Sequence, residues 1–312
     1  MAVSTSFIGA KSLANKGFLA LGVLNFPFFY YTFVSLLHSP YAQNFMTQKK
    51  RVLYVSSEMA PFLEQSPYST IARMLPQALQ EKDNEIRILV PRFGVINERR
   101  NRLHEVVRLS GINISIDDND NPLIIKVASV PNTKMQVYFL DNEDYFHRKA
   151  VYNNDKGKFF EDNDERTIFF CKGVMETVKK LGWAPDIIHC QGWMTSLIPL
   201  YLKTLYKDEP VFKNTKVVYS VYHEDCDNSL GSEFSRKAAL NSLEGDCMEC
   251  FSNASTNGVH SGAVKHSDAI VAGCDKAMEL VKNALEGKPS IHHKEGEDLA
   301  EQYEQLYDQL LA

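Results

Sequence analysis

From Arg51 onward, short apolar runs alternate with longer stretches in which apolar positions recur three or four residues apart. That is the pattern of strands followed by helices. "RVLYVS" (51–56) predicts a first strand, residues 69–82 a helix with Pro76 inside it, and "EIRILV" (85–90) a second strand that stops at "PRFG". Proline and glycine at 91 and 94 end it. Residues 95–140 leave the pattern: "LIIKVASV" and "MQVYFL" are β-like runs separated by Asn, Asp and Pro, and predict a β-rich insertion or hairpin. The alternation then resumes, with a helix over 165–181, a buried strand "DIIHC" (186–190), a helix over 193–206 and a buried strand "KVVYSVY" (216–222).

Residues 224–262, rich in Asp, Asn, Ser and Gly, predict a long connection with some helix. "SDAIVAG" (267–273) is a last short strand before a helix over 275–285, which Gly287 and Pro289 end. A polar linker follows, in which the pair His292–His293 is expected to be solvated. In the tail, Leu299, Tyr303, Leu306 and Leu310 fall on one helical face. Such a face packs on its own domain or on a partner, and both readings stand. Strands alternating with helices predict an α/β fold with a doubly wound, Rossmann-like parallel sheet, here over residues 46–285, with a linker and amphipathic helix at 286–312.

The region before the first strand changes this picture. Phe18 to Leu37 is an uncharged run preceded by Lys11 and Lys16, long enough to span a bilayer. Asn25 and Pro27 interrupt it, and the cleavage context near Ala42 is poor for a signal peptide. "MTQKKRVLYVSSE" reads as the ordinary start of a cytosolic domain, so translation is expected to begin at Met46, with residues 1–45 a gene-model extension. The alternative is an anchor through 18–37, the only way in which a membrane would enter.

The 312 residues, 44% hydrophobic and 23% charged, suffice for one large domain or two small ones. A net charge of −5, from 34 basic and 39 acidic residues, leaves no electrostatic footprint for nucleic acid. The six cysteines sit mostly singly in apolar stretches, unlike a secreted disulfide framework, and point to a reducing, cytoplasmic setting. "CMEC" at 247–250, with His260 and His266 further on, is a single Cys pair without a second pair at zinc-finger spacing. No metal or cofactor is expected, and no Ser, Cys or carboxylate constellation suggests a hydrolase.

Several stretches, in order, are similar to one family: "VLYVSSEMAPFLE", "PRFG", "YFLDNEDYFHRKAVY", "ERTIFFCKGVMETV", "WAPDIIHCQGWMTSLIPLYLK" and "KVVYSVYH". They resemble the N-terminal catalytic domain of bacterial glycogen synthases and plant starch synthases, glycosyltransferase family 5. The resemblance implies one half of a GT-B enzyme, in which two Rossmann-like domains face across a cleft and glucose passes from ADP- or UDP-glucose to an α-1,4-glucan.

The motifs depart from that family where its chemistry lies. Its first loop reads Lys-Thr-Gly-Gly-Leu followed shortly by Asp, and those places hold Glu64, Gln65, Ser66, Pro67, Tyr68 and Thr70. Glycine lets backbone N–H groups reach a diphosphate and lysine neutralises it. Proline has no N–H, Ser66 adds bulk and Glu64 adds like charge. The acceptor-side Asp has become Gly192, and the histidine near the reacting sugar has become Tyr222, with His223 one place late. Because strand side chains alternate faces, His223 is expected to point away from the cleft unless the strand end bulges. The second domain, which carries most donor contacts in the family, would begin where the sequence ends.

The implied reading is a starch or glycogen synthase-like domain that is catalytically degenerate on its own and binds an α-glucan or a protein. The glucan-binding candidates are Tyr145, which matches an acceptor-linked family position, Trp193, and the pair His189 and His223. A full-length synthase or a donor-domain protein is the partner expected at the C-terminal helix. Two alternatives remain: the acceptor-side half of an active ADP/UDP-glucose-dependent enzyme completed by a separate chain, and a structural scaffold.

Overall fold

A computed structural model describes residues 49–243, 245–293 and 298–312. The run Phe18–Leu37 and the candidate start at Met46 lie outside the described residues. The architecture is a ten-stranded mixed sheet in the order β10-β9-β8-β7-β1-β2-β6-β5-β3, with β4 paired to β5. The strands are β1 Arg51–Ser56, β2 Glu85–Pro91, β3 His104–Glu105, β4 Ile112–Ile116, β5 Asn119–Ser129, β6 Gln136–Asp141, β7 Ile187–Gln191, β8 Lys216–Val221, β9 Ala269–Ala272 and β10 Ser290–His292. Every pairing from β10 through to β6 is parallel, whereas β3, β4 and β6 pair with β5 antiparallel. The residues at 95–140 thus form an antiparallel rim whose last strand, β6, rejoins the parallel sheet beside β2.

The central strands read as apolar runs because both of their faces are covered. Val52, Leu53, Val55, Ile187, Ile188, Val217 and Val218 are all fully buried. The covering helices used below are α1 Tyr68–Glu81, α2 Asn163–Leu181, α3 Leu197–Lys203, α4 Val259–His266, α5 Asp275–Val281 and α6 Leu299–Leu311. In α1 the buried positions are Tyr68, Ser69, Ala72, Leu75, Pro76 and Leu79, so Pro76 sits on the face turned to the sheet. α2 stops at Gly182, whose φ of +61° lets its N–H reach back to the carbonyls of Val178 and Lys179.

Two expectations need correction. The helix predicted over 193–206 opens with a 3-10 turn, Trp193–Thr195, and is α-helical only over Leu197–Lys203. The polar linker contains a strand, since Ser290, Ile291 and His292 pair with Ile270, Val271 and Ala272 of β9. His292 and His293 are therefore half-buried instead of solvated, and His293 Nε2 lies 2.7 Å from the Tyr303 hydroxyl. A three-residue strand with one apolar side chain leaves no period-2 signal; its neighbour β9 supplies the template.

The apolar face of α6 lies on its own domain. Tyr303 and Tyr307 are fully buried and Leu306 nearly so, while Asp298 caps the helix by accepting from the Glu301 N–H at 3.2 Å. Beneath it a chain of polar groups crosses the sheet. The Tyr307 hydroxyl is 2.7 Å from the Tyr54 hydroxyl and 2.7 Å from His189 Nδ1, and His189 Nε2 is 2.6 Å from Ser220 Oγ. The Tyr303 ring stacks on His189 at 5.3 Å. Ion pairs close the edge, with Lys50 on Glu304 and on Asp308 at 2.8 Å, and Lys82 on Glu301 at 2.6 Å.

Burial lowers the pKa of His189 to about 3 and that of His260 to about 4. Both are neutral in the fold, while in the unfolded chain each takes a proton near pH 6.5. Stability is therefore expected to fall as pH drops from 6.5 towards 4, by up to about 1.4 kcal/mol per unit for each histidine. Glu224, raised to about 7, opposes this between about pH 4.5 and 7, because it holds its proton better in the fold. Denaturant titrations of the parent and of His260→Gln across pH 7 to 4 check this; identical pH slopes for the two would refute it.

Candidate functional site

The chain runs from β1 outward through β2 to β6, then returns to the other side of β1 as β7. Loops after the carboxyl ends of β1 and β7 part at this point, where open α/β sheets place ligands. A cleft of about 560 Å³ lies here, walled by the segments after β1, β7, β8 and β9.

The β1 segment is organised around Glu58, which is buried. Its carboxylate accepts from the backbone N–H groups of Gln65 (2.7 Å) and Ser66 (2.8 Å) and from Ser66 Oγ (2.8 Å). N–H groups that an external anion would use are thus taken by an internal one. Pro67 follows with no N–H to add. Glu64 and Thr70 are exposed and neither lines the cleft, which corrects the expectation that Glu64 directs charge at a ligand. The acidic groups that line it are Glu224 and Asp225.

Tyr68, Gly192 and Tyr222 form one packed unit. The rings of Tyr68 and Tyr222 stack at 4.4 Å and 18°, and the Tyr68 hydroxyl is 3.1 Å from Ser57 Oγ. Gly192 has φ +79°, and a Cβ there would lie 3.3 Å from the Tyr68 hydroxyl. An aspartate at 192 would meet both a strained backbone and this ring. Across the strand end, a Cβ on Gly273 would come within 2.5 Å of the Tyr222 ring, so glycine is what seats Tyr222.

The structure separates the four glucan-binding candidates. Trp193 lines the cleft but is only 1% exposed, covered by Tyr152 at 5.1 Å and Phe159 at 6.0 Å. His223 also lines it, which corrects the strand-alternation expectation. β8 ends at Val221, so alternation no longer governs residue 223, and Tyr222 and His223 both border the cleft.

Tyr145 and His189 are not part of the lining. Tyr145 lies within a helical turn, Glu143–Phe146, capped by Asn142, whose side chain accepts from the Tyr145 N–H. It is buried against Phe169 and donates to Glu165 Oε2 at 3.0 Å. His189 is fully buried beneath α6 with both ring nitrogens engaged. The reason in each case is a local partner that a motif comparison does not reveal.

Sequence reasoning missed Tyr152, Phe159, Glu58 and Glu224. The aromatic pair had a signal, since it stands among polar residues between β6 and α2 with no helical or strand period to explain it. Burial, with Glu58 and Asp225 nearby, raises the Glu224 carboxyl to about 7, so near neutrality it exchanges between donor and acceptor forms. No lysine or arginine lines the cleft. Of the CMEC motif, Cys250 Sγ lies 3.7 Å from His266 Nε2, while His260 hydrogen bonds the Tyr219 hydroxyl at 2.8 Å. Among the described residues no group of three or more His, Cys, Asp or Glu side chains is placed to hold a metal ion, and no helix is long and apolar enough to cross a membrane.

Comparison with known proteins matches residues 51–287 to the starch synthase catalytic domain. The glycogen synthase of Chlorobium luteolum is 45% identical over 174 residues, 55% of this chain and 36% of that protein. That of Pelodictyon phaeoclathratiforme is 36% identical over 238 residues, 76% of this chain and 48% of that protein. The chain thus spans less than half the length of these relatives. Among solved structures, the catalytic domain of starch synthase IV from Arabidopsis thaliana, bound to ADP and acarbose, superposes with a TM-score of 0.65 at 18% identity, covering 78% of this chain and 51% of that one. With a family match over most of its length and the same GT-B Rossmann-like fold, this chain belongs to the starch synthase catalytic domain family.

Proposed function

We propose that this glycogen or starch synthase-like domain has lost the donor half of its chemistry and retains a cleft for a neutral α-glucan. The observation that carries the reading is the Glu58 carboxylate on the N–H groups of Gln65 and Ser66. A nucleotide diphosphate would not find these two amides free, and it would meet Glu224 and Asp225 in a cleft that no lysine or arginine lines, the nearby Lys276 being already 3.8 Å from Asp225. Like charges brought together in a partly desolvated cleft repel strongly. The Tyr68–Tyr222 stack fills the space over Gly192, where the family pattern has its acceptor-side aspartate.

The same cleft suits a glucan. Tyr152 and Phe159 offer apolar ring faces, and Asn153, Asn228 and Glu224 offer donors and acceptors for hydroxyl groups. Its contents are those of a small polar-and-aromatic pocket without net positive charge. In this reading the domain delivers or retains a glucan chain and does not itself transfer glucose.

Calorimetric titration of the whole chain with maltoheptaose, ADP-glucose and UDP-glucose, beside an assay with labelled glucose donors, tests it. Saturable binding of maltoheptaose alone, weakened by Tyr152→Ala, is the expected result. Binding of either nucleotide sugar, or transfer of labelled glucose, would overturn the proposal.

A further inference from the structure

We infer that a second cleft, on the antiparallel rim of the sheet, binds a phosphomonoester carried on a sugar. It is independent of the cleft above and shares no lining residue with it. Its volume is about 730 Å³, and it lies between the turn joining β5 to β6 and the short segment that leads into β3. Arg100, Arg102 and His104 line it, and no aspartate or glutamate does. This stands out in a chain with a net charge of −5.

The two arginines are not structural. Arg92, Arg148 and Arg236 each pair with a carboxylate, but among the described residues no ion pair or side-chain hydrogen bond engages Arg100 or Arg102. Both are exposed. Arg102 closes the short helix Glu98–Asn101 at φ +53°, a left-handed position where glycine or asparagine is the usual occupant. Its backbone N–H closes the helix on the Arg99 carbonyl, and its exposed side chain is left free of packing contacts that would fix it.

The ligand class follows from the charges and the space. A carboxylate is satisfied by one guanidinium; two guanidinium groups and an imidazole around one cavity match a dianionic phosphate monoester. Inorganic phosphate alone would fill a small part of the volume. The remaining wall is uncharged and mixes apolar residues such as Phe62, Val130 and Pro131 with the polar Asn101, Ser129 and Gln136, which suits the carbon faces and the hydroxyl groups of a sugar. The phosphate can belong to a free sugar phosphate or to a phosphorylated glucan, and the two share this chemistry.

Titration of the whole chain at low salt with glucose 6-phosphate, glucose, inorganic phosphate, and a glucan with and without phosphate groups provides the test. Saturable binding of glucose 6-phosphate or of the phosphorylated glucan, at least about tenfold tighter than the unphosphorylated counterpart, is expected, and which of the two binds identifies the source. The double variant Arg100→Ala/Arg102→Ala should weaken it at least about tenfold, while its melting temperature stays at that of the parent because both side chains are exposed. The conservative pair Arg100→Lys/Arg102→Lys should restore part of the affinity. No binding, or binding untouched by the double variant, overturns the site; inorganic phosphate binding as tightly as the sugar phosphate overturns its sugar half.

Discussion

Replacing Tyr307 with alanine is expected to lower stability by about 3–5 kcal/mol, the range for removing a fully buried large aromatic side chain. The loss has two parts. The ring is wholly inside the core, so its removal leaves a cavity. Its hydroxyl also joins Tyr54 to His189, and both would remain buried without that partner. Tyr307→Phe isolates the second part and should cost about 1–3 kcal/mol. At roughly 2–4 °C of melting temperature per kcal/mol for a domain of this size, the alanine variant should melt at least about 6 °C below the parent. Thermal and urea denaturation of both variants measure this. A phenylalanine variant as stable as the parent would show that the hydroxyl chain under α6 adds nothing.

Glu58→Ala is the second substitution with a large expected effect. Removing a buried carboxylate that accepts three hydrogen bonds strands the N–H groups of Gln65 and Ser66, and losses of about 1–3 kcal/mol are typical when such a hydrogen-bonding partner is removed. The variant also creates an opportunity. Two backbone donors aimed at one vacated position form an anion site, so sulfate or pyrophosphate should raise the variant's melting temperature more than the parent's, as any ligand selective for the folded state does. Equal shifts in the two proteins would mean that the amides do not converge on a site an anion can enter. A variant as stable as the parent would remove Glu58 from its organising role.

The βαβ alternation from Arg51 to Val281 was legible because central parallel strands are apolar on both faces and the helices between them are periodic. β10 was not, since three residues at a sheet edge need only backbone donors and acceptors to join. Within the site, comparison of motifs singled out Ser66, Pro67, Gly192 and Tyr222 as altered positions. It did not reveal that Tyr68 ties two of them together, because Tyr68, Gly192 and Tyr222 meet only through the sheet topology. Tyr145 and His189 went astray for the converse reason. Each has a hydrogen-bonding partner, Glu165 or Tyr307, that no local pattern announces. In the terminal helix the period exposed Tyr303 and Leu306 but passed over Tyr307, the residue with most at stake.

The contact between Tyr54 and Tyr307 joins positions 253 residues apart, and Lys50 reaches Glu304 over 254. The middle strand of the sheet therefore receives its cover from a helix that follows every other described element along the chain. During vectorial synthesis, β1, β7 and β8 are assembled while His189 and Ser220 still face water or whatever else is at hand. The last step is the docking of α6, which follows β10 by six residues, and the chain entropy it costs is offset once the tyrosines are seated. A nascent chain of this protein consequently passes through a stage in which His189 and Ser220, at the centre of the finished sheet, are still uncovered by α6, the stage at which a chaperone would have something specific to hold.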